Sequence, residues 1–260
     1  MSEPARVYTS TFVPTEGDCN PEQRLSLPLL VSKLMETAAG HADALNVGYQ
    51  RLDGTHLRWV VSKVTVEMER YPKINEECAI TTWVESYNHL YSKRDFQISA
   101  SGETIGYARS LWLMIDTSTR TMHNISQLSY MADCVNDRKC PIEPQSRLKP
   151  VRNGVREPYT FRYLDIDSNR HVNSSRYIEL LMNHWPLDHY DKHYICRFEL
   201  AYMKECLYGM QATVNFDDTD PLDCKAEIEV DGTSHCRARI VFKQRDYSTD
   251  IEQKNEKTIT

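Results

Sequence analysis

Residues 163–178 have the sequence Tyr163-Leu164-Asp165-Ile166-Asp167-Ser168-Asn169-Arg170-His171-Val172-Asn173-Ser174-Ser175-Arg176-Tyr177-Ile178. Within this stretch, Asp167, Asn169 and His171 occupy alternate positions. Alternate side chains of an extended backbone point to the same side. We therefore expect an acid, an amide and an imidazole to converge on one spot, which makes the stretch the candidate centre of a reactive site.

The same stretch then changes to a helical pattern. Apolar residues recur at helical spacing from Tyr177 to Leu181, and Asn173, Ser174 or Ser175 could cap the helix. A helix N-terminus has free backbone N–H donors, which could stabilise a developing oxyanion. The alternative is a polar turn whose Asp and Asn side chains make only local backbone hydrogen bonds.

The composition argues against several classes of protein. The 260 residues are 40% hydrophobic and 26% charged, which suits one large domain or two ordinary ones and not a disordered chain. A net charge of −6 argues against nucleic acid as the main partner. No apolar run approaches the roughly 20 residues of a membrane span, and the N-terminus lacks the pattern of a signal or organelle leader. Eight scattered cysteines without a Cys-x-x-Cys pair indicate reduced thiols and a cytoplasmic location.

The apolar pattern predicts a helix followed by a run of strands, twice. The first helix is expected over residues 25–48, with Ser26 as its cap, Pro28 near its start and Gly48 as its stop. The other predicted elements are strands at 59–68, 78–85, 92–99 and 105–116, a helix at about 174–183, and strands at 194–202, 211–216, 224–230 and 236–244. A helix followed by an antiparallel meander is typical of an α+β fold, not of alternating βαβ units.

The last two strands of each half show a repeat. Gly102-Glu103 followed by residues 108–112 corresponds to Asp231-Gly232 followed by residues 238–242. The offset is about 130 residues, half of the chain, which indicates a duplicated unit.

A basic segment separates the two halves. We expect an N-terminal unit at 1–137, a linker at 138–156, a C-terminal unit at 157–246 and a polar tail at 247–260. Against the single acid Glu143, the linker carries the cations Arg138, Lys139, Arg147, Lys149, Arg152 and Arg156. It is either a solvated linker or a site for an acidic partner.

In addition to these patterns, the sequence resembles the acyl-acyl-carrier-protein (acyl-ACP) thioesterases of plant plastids and bacteria. That family carries a motif close to Asp-x-Asn-x-His-Val-Asn-Asn followed by a basic-Tyr pair, and a second motif ending in basic-Glu-Cys. The matching residues are Asp167, Asn169, His171, Val172, Asn173, Arg176 and Tyr177, then Lys204-Glu205-Cys206. In the first half, residues 66–72, 82–84 and 108–112 are also similar. The likeness spans residues 8–245 and departs at Arg170 and Ser174, where the plant enzymes usually have Gln and Asn.

The resemblance implies a fold and a reaction. The fold would be two tandem hotdog units, an antiparallel sheet wrapped around long central helices. The reaction would be hydrolysis of a fatty acyl-ACP thioester to free fatty acid and carrier protein, which ends chain elongation in fatty-acid biosynthesis. A hotdog acyl-CoA thioesterase, a lyase acting on hydroxyacyl or enoyl thioesters, and a non-catalytic acyl-binding regulator remain alternatives, because the fold does not fix the reaction.

The resemblance also suggests roles for the motif residues. His171 and Glu205 are candidates for the base that activates water. Asn169 and a helix amide are candidate oxyanion donors, and Asp167 could orient Asn169 or the water. Cys206 is an alternative nucleophile. Adjacent residues on a strand point to opposite faces, so we expect Glu205 to face inward and Cys206 to be a buried structural thiol.

The remaining expectations concern ligands and partners. The N-terminal half would form the acyl-chain pocket, with Trp59, Val61, Val64 and Val66 as candidate lining residues. We expect no cofactor and no metal; His184, His189 and His193 are interpreted as part of an ordinary polar loop. The expected partner is acylated carrier protein, guided by the six linker cations, with no nucleic acid and no membrane span. A homodimer is left open.

Overall fold

The computed structural model describes residues 6–245; the predicted polar tail lies outside them. The helices are α1 (Leu27–Ala44), α2 (Tyr49–Leu52), α3 (Met131–Cys134), α4 (Ser174–Met182) and α5 (Leu187–Lys192). The strands are β1 (Tyr8–Phe12), β2 (Leu57–Met68), β3 (Cys78–Tyr87), β4 (Ser92–Ala100), β5 (Glu103–Asp116), β6 (Thr121–Met122), β7 (Val155–Thr160), β8 (His193–Tyr202), β9 (Gln211–Asp217), β10 (Asp223–Val230) and β11 (Thr233–Gln244). Each of the eight strands expected from the sequence is present.

Helix α1 ends earlier than the sequence predicts. After Ala44, Asn46 adopts a left-handed backbone with φ of 55°. The N–H of Val47 then donates to the carbonyl of Ala42 at 2.8 Å, and the N–H of Asn46 to that of Asp43 at 2.9 Å. This pair of hydrogen bonds is a Schellman motif. The predicted stop at Gly48 is therefore wrong by about one turn, and Gly48 instead precedes α2.

Within residues 6–245, all eleven strands form one sheet. The strand order is β1-β3-β4-β5-β2-β8-β11-β10-β9-β7, with β6 beside β5. The two halves join where β2 pairs antiparallel with β8, Lys63 facing Ala201 and Glu67 facing Arg197. Helices α1 and α4 share one hydrophobic core on one face of this sheet. The predicted α+β fold, a continuous antiparallel sheet around two helices, is confirmed.

Three strands were not predicted, and two of them lie at the sheet edges. Strand β1 pairs only with β3, and β7, which contains Pro158, pairs only with β9. Short edge strands bury little apolar surface, and proline is tolerated there because one side of the strand has no partner. Their sequences therefore lack the apolar run by which the central strands were found.

The internal repeat is visible in two matching hairpins. Ser101 and Gly102 connect β4 to β5, and Asp231 and Gly232 connect β10 to β11. All four residues have positive φ, between 49° and 82°, which is the conformation that two-residue hairpin turns require. The structure thus aligns Gly102 with Gly232. The sequence pattern aligned Gly102-Glu103 with Asp231-Gly232, which is shifted by one residue.

The segment between the units is held against the sheet face opposite to the helices. Trp83 Nε1 donates to the carbonyl of Arg138 at 2.7 Å, and Cys140 and Ile142 are buried against Trp83. Farther along, the Ser146 N–H donates to Glu199 at 3.1 Å. The segment is therefore a packed strap across the outer face of the sheet, which the solvated-linker alternative did not anticipate.

No helix within residues 6–245 is long and apolar enough to cross a bilayer.

Candidate active site

The polar stretch that opens the second half forms a tight hairpin and not an extended strand. Ile166 pairs with Val172 across an antiparallel bridge. The N–H of Asp167 donates to the carbonyl of His171 at 2.8 Å. Between them, Arg170 adopts a left-handed backbone with φ of 68°. The alternation that suggested an extended trio therefore reflects a turn, and the expectation of an extended backbone is wrong.

Asp167 orders this turn. Its Oδ1 accepts the backbone N–H of Asn169 at 2.8 Å and that of His171 at 3.2 Å. Local hydrogen bonding, the alternative interpretation of the sequence, thus describes Asp167 in this structure. Asn169 lies at the exposed tip of the turn, with its side chain toward solvent.

His171 meets Glu205. The His171 Nε2 and the Glu205 Oε2 lie 3.3 Å apart, with the side chains 39% and 65% exposed. The hairpin holds the loop that carries Glu205, because the N–H of Val172 donates to the carbonyl of Cys206 at 2.9 Å and His171 pairs with Leu207. Glu205 lies in a loop after β8, not on a strand, and its carboxylate is open to solvent beside a surface groove lined by Asp167, Arg170, Leu207 and Tyr208. The expectation of an inward-facing strand residue is wrong, although the carboxylate does reach the imidazole.

The Cys206 thiol points into the core. The residue is fully buried, its N–H donates to the Tyr177 hydroxyl at 3.0 Å, and its Sγ lies 3.2 Å from His235 Nδ1. Burial raises the pKa of the Cys206 thiol and lowers the pKa of His235. These surroundings favour a neutral thiol beside a neutral imidazole, whereas a nucleophilic cysteine needs a thiolate.

His235 was not found from the sequence. It lies on β11, where the next residue, Cys236, pairs with Tyr202. Its carbonyl accepts the N–H groups of Met203 and Lys204 at 2.9 and 3.2 Å. This contact depends on strand register between distant segments, and no local pattern of residue types marks it.

The helix that follows the hairpin begins where the sequence suggested. The N-cap of α4 is Asn173, whose Oδ1 accepts the N–H of Ser175 at 3.0 Å. The backbone N–H of Asn173 in turn donates to the carbonyl of Asp165 at 2.8 Å. The hairpin and the helix N-terminus are thus tied together on the same side of the molecule.

A cavity of about 220 Å³ lies in the N-terminal half, between α1 and the sheet. Trp59, one of the four expected lining residues, is on its wall together with Trp112 and Ala42. The other three are placed elsewhere: Val64 and Val66 are buried in the main core, and Val61 packs against that core.

The cavity and the His171–Glu205 pair are linked by strand register. The pairing of Lys63 with Ala201 places the end of β8, and the loop that carries Glu205, beside the part of β2 where Val61 pairs with Trp112. The end of β8 therefore lies two strands away from Trp112, a residue of the cavity wall.

The basic residues of the strap divide into two groups. The Arg138 guanidinium covers the Trp83 ring at 4.3 Å, Lys139 pairs with Glu85 at 3.0 Å, and Arg156 lies 3.8 Å from Glu229. The other three, Arg147, Lys149 and Arg152, are exposed.

The three histidines after α4 belong to a packed polar corner. His184 stacks on Phe216 at 3.7 Å, and its Nδ1 lies 2.6 Å from Glu157. His189 and His193 contact each other at 4.7 Å between ring centroids. In the part of the chain that the structure describes, no group of three or more His, Cys, Asp or Glu side chains is arranged to hold a metal ion.

Comparison with known families decides the relationship. A family model for the acyl-ACP thioesterase N-terminal domain matches residues 5–130. A second model, for the acyl-ACP thioesterase C-terminal domain, matches residues 148–244. The chain belongs to the acyl-ACP thioesterase family. The resemblance seen in the two motifs is thereby confirmed.

Individual members of the family are similar along most of the chain. The chloroplastic acyl-[acyl-carrier-protein] hydrolases FATB2 and FATB3 of Cuphea viscosissima are 27% and 30% identical over 221 and 203 residues. These alignments cover 77% and 71% of this chain, and 52% and 48% of the relatives. The chain thus spans about half the length of these curated relatives.

Solved structures agree with the fold. A crystal structure of an acyl-ACP thioesterase from Bacteroides thetaiotaomicron is 32% identical, has a TM-score of 0.85, and is covered completely by 94% of this chain. The 12:0-ACP thioesterase from Umbellularia californica, at 21% identity and a TM-score of 0.82, matches 93% of this chain and is itself covered to 98%. This second likeness shows the fold alone.

Proposed function

We propose that this member of the acyl-ACP thioesterase family hydrolyses fatty acyl-ACP to free fatty acid and carrier protein. The observation that carries the proposal is the His171–Glu205 pair, 3.3 Å apart and open to solvent. A carboxylate beside an imidazole is a base assembly that can take a proton from water. Because both side chains are open to solvent, water and the pantetheine arm that would carry the thioester can reach them.

The proposed reaction uses this pair as its base. Glu205 holds His171 so that its imidazole removes a proton from water, and the water oxygen bonds to the thioester carbon. Asn169 and a free N–H at the start of α4 donate to the oxyanion, and Asp167 orders the turn that positions Asn169 and His171. The protonated His171 then gives its proton to the leaving thiolate as the carbon–sulfur bond breaks.

The direct test is an assay of free-acid and free-thiol release from acyl-ACP of several chain lengths. The same acyl groups on coenzyme A are assayed in parallel. Hydrolysis that is faster on the carrier protein supports the proposal. Equal or faster hydrolysis on coenzyme A would instead assign the acyl-CoA alternative, and no hydrolysis of either series would reject the proposed reaction.

In this proposal Cys206 is structural. We expect Cys206→Ala to keep most of the kcat, because the thiol is fully buried beside His235 and its raised pKa disfavours the thiolate. The measurement is kcat for acyl-ACP, with mass spectrometry of the enzyme during turnover. The same measurement is made on His235→Ala, which removes the imidazole beside the thiol. A folded Cys206→Ala without activity, together with an acyl adduct on Cys206, would establish the nucleophile instead.

The acyl chain would lie in the cavity between α1 and the sheet. Its walls include Ala38, Ala42, Trp59, Trp112 and Met131. Such apolar walls suit a hydrocarbon chain. Of the four candidate lining residues, Trp59 would contact the acyl chain directly, because it is on the cavity wall. Val61, Val64 and Val66 would act indirectly, through the packing of β2, the strand that carries Trp59.

We further propose that the carrier protein docks around the groove. The groove is rimmed by exposed apolar side chains, with Tyr163 82%, Leu164 75% and Tyr208 69% exposed, and Arg170 lines it. The exposed Lys204 directly precedes Glu205. Apolar contacts with a cationic rim suit an acidic, partly apolar partner. Of the strap cations, Arg147, Lys149 and Arg152 remain for long-range steering, since Arg138, Lys139 and Arg156 lie beside partners within the chain.

The docking proposal distinguishes the cations beside the groove, Arg170 and Lys204, from the exposed cations of the strap. We expect Arg170→Glu with Lys204→Glu to raise KM for acyl-ACP about 10-fold or more, because charge reversal at the contact opposes an acidic partner. The matched set Arg147→Glu, Lys149→Glu and Arg152→Glu should act less, and its effect should disappear at high salt. Both sets are measured on acyl-ACP and on a small acyl thioester. An equal rise in KM on both substrates would remove the docking role.

We also propose the cellular compartment in which the reaction takes place. All eight cysteines lie within the described residues, and none is in a disulfide. Reduced thiols support a cytoplasmic place in fatty-acid biosynthesis, whereas the curated plant relatives are named chloroplastic. The division into units at 1–137 and 157–246, and the homodimer, stay predictions.

A further inference from the structure

The cavity in the N-terminal half has one feature that an alkyl chain does not require. Most of its wall is apolar, but Arg94 and Ser92 of β4 also line it, as does the exposed Asp43 of α1, which forms no ion pair with Arg94. Arg94 is only 6% exposed and Ser92 only 5%. A buried guanidinium on the wall of a hydrocarbon pocket needs a physical reason, because moving a charge out of water is strongly unfavourable.

The hydrogen bonds of Arg94 leave most of its donors unused. Its Nη1 donates to His41 Nδ1 at 2.7 Å and to Thr82 Oγ1 at 3.3 Å. Both partners are uncharged acceptors, since the His41 Nδ1 must carry a lone pair to accept this bond. Among residues 6–245, no carboxylate forms an ion pair with Arg94. Burial lowers the pKa of Arg94 to about 10, so the side chain still carries its charge at neutral pH.

Two other buried charged side chains, in contrast, each have a partner of opposite charge. Asp95 and Glu199 are fully buried, and each meets an arginine, Arg109 at 2.7 Å and Arg197 at 2.6 Å. Buried charges in folded proteins are ordinarily compensated in this way. Arg94 departs from that pattern, and it does so at the wall of an open cavity. A ligand that brings a carboxylate would supply the missing partner.

The position of Arg94 fits the far end of a bound chain. In the strand order β8-β2-β5-β4, Arg94 lies three strands from the end of β8, which is about 14 Å at the usual spacing of about 4.8 Å. The loop that carries Glu205 follows β8, so a thioester held at the proposed His171–Glu205 base would leave Arg94 at the far end of the acyl chain. A medium-length acyl chain would span them.

We infer that the cavity accepts an acyl chain whose far end carries a carboxylate, bound by Arg94 with help from the Ser92 hydroxyl. The inference rests on the proposed thioesterase function. The substrate class is the monothioester of a medium-chain α,ω-dicarboxylic acid. A guanidinium binds a carboxylate through two parallel hydrogen bonds, and the remaining Arg94 donors are available for this contact.

The test compares two acyl-ACP substrates of equal chain length, one ending in a methyl group and one in a carboxylate. We expect the wild-type enzyme to favour the carboxylate chain in kcat/KM by about 10-fold or more, and Arg94→Met to reverse that preference through an approximately 100-fold change in the ratio. Arg94→Lys should keep part of the preference. Arg51→Met, which removes an exposed arginine of the same unit, should leave the ratio unchanged.

Two results would overturn the inference: a wild-type preference for the methyl-terminated chain, or a ratio that Arg94→Met does not change. The wild-type ratio needs no variant, so it remains decisive if Arg94→Met does not fold. Calorimetric binding of the two chains as non-hydrolysable amides of pantetheine separates this inference from the reaction itself. An enzyme that hydrolyses neither thioester but binds the carboxylate amide more tightly would reject the proposed reaction and keep the assignment of Arg94.

Discussion

We expect His171→Ala and Glu205→Ala each to lower kcat for fatty acyl-ACP about 100-fold or more, the usual scale for a lost general base. KM should change little, because neither side chain is placed to hold the acyl chain. The two groups lie 3.3 Å apart and are proposed to act as one base assembly. The double variant should therefore lose about as much as either single variant, and not the product of the two losses.

The control for Glu205 is another partly exposed carboxylate near the site. Glu179 of α4 is 38% exposed in its side chain and pairs with Arg176, so Glu179→Ala removes the same charge without touching His171. Its kcat should stay within about 2-fold of wild type. Asn169→Ala should lower kcat about 100-fold, because it removes the proposed oxyanion donor. Strictly additive losses for His171 and Glu205, or full activity of a folded Glu205→Ala, would contradict the paired base.

Much of the fold could be predicted because its central elements carry regular patterns. The apolar positions of α1 and the runs of Val, Ile and Thr in β2 and β3 repeat with helical and strand periods. The edge strands β1 and β7 lack such runs, since one side of each has no strand to pair with. The end of α1 was missed because Asn46 can take the left-handed conformation that is usually expected of glycine.

The sequence suggested which residue types form the candidate site, but not their geometry. Alternation of Asp167, Asn169 and His171 suggested an extended trio, whereas Asp167 uses its carboxylate to close a turn. The approach of Glu205 to His171 depends on a loop that packs against this turn from another part of the chain. The contact of Cys206 with His235 depends on strand register. Neither long-range contact has a local signature, so the sequence could suggest them only through a family resemblance.

The packing of the strap could not be predicted from its sequence either. Its prolines and cations were compatible with a solvated linker and with a site for an acidic partner, because composition reports only what a segment could do by itself. In the folded chain, Ile142 is buried against Trp83, and the carbonyl of Ile142 accepts a long hydrogen bond from Arg109 at 3.5 Å. Arg109 also reaches two carboxylates on neighbouring strands. This cluster joins the strap to the sheet and gives the largest stability effect that we expect.

We expect Arg109→Met to lower the free energy of unfolding by about 3–5 kcal/mol at pH 8, the usual range for breaking a buried ion pair. Arg109 bonds Asp95 at 2.7 Å and Glu85 at 2.8 Å. Glu85 keeps Lys93 and Lys139, but Asp95 is fully buried and has no other cation partner among residues 6–245. Methionine fills a similar volume without a charge. Urea unfolding, followed by tryptophan fluorescence, measures the difference.

The matched control is an arginine at the surface. Arg156 is 66% exposed and lies 3.8 Å from Glu229, so Arg156→Met should change the free energy of unfolding by no more than about 0.5 kcal/mol. Equal effects of Arg109→Met and Arg156→Met would show that the buried cluster contributes no more than an ordinary surface pair.

The loss in Arg109→Met should also depend on pH. Burial raises the pKa of Asp95 to about 7, against the lowering effect of the Arg109 hydrogen bond. The unfolded carboxyl has a pKa near 3.9, so between these values the folded chain holds more protons and its stability falls as pH rises. Without Arg109 the folded pKa of Asp95 rises further, and stability continues to fall above pH 7. The destabilisation should thus be larger at pH 8.5 than at pH 6. A destabilisation that is the same at both pH values would show that Asp95 does not carry the effect.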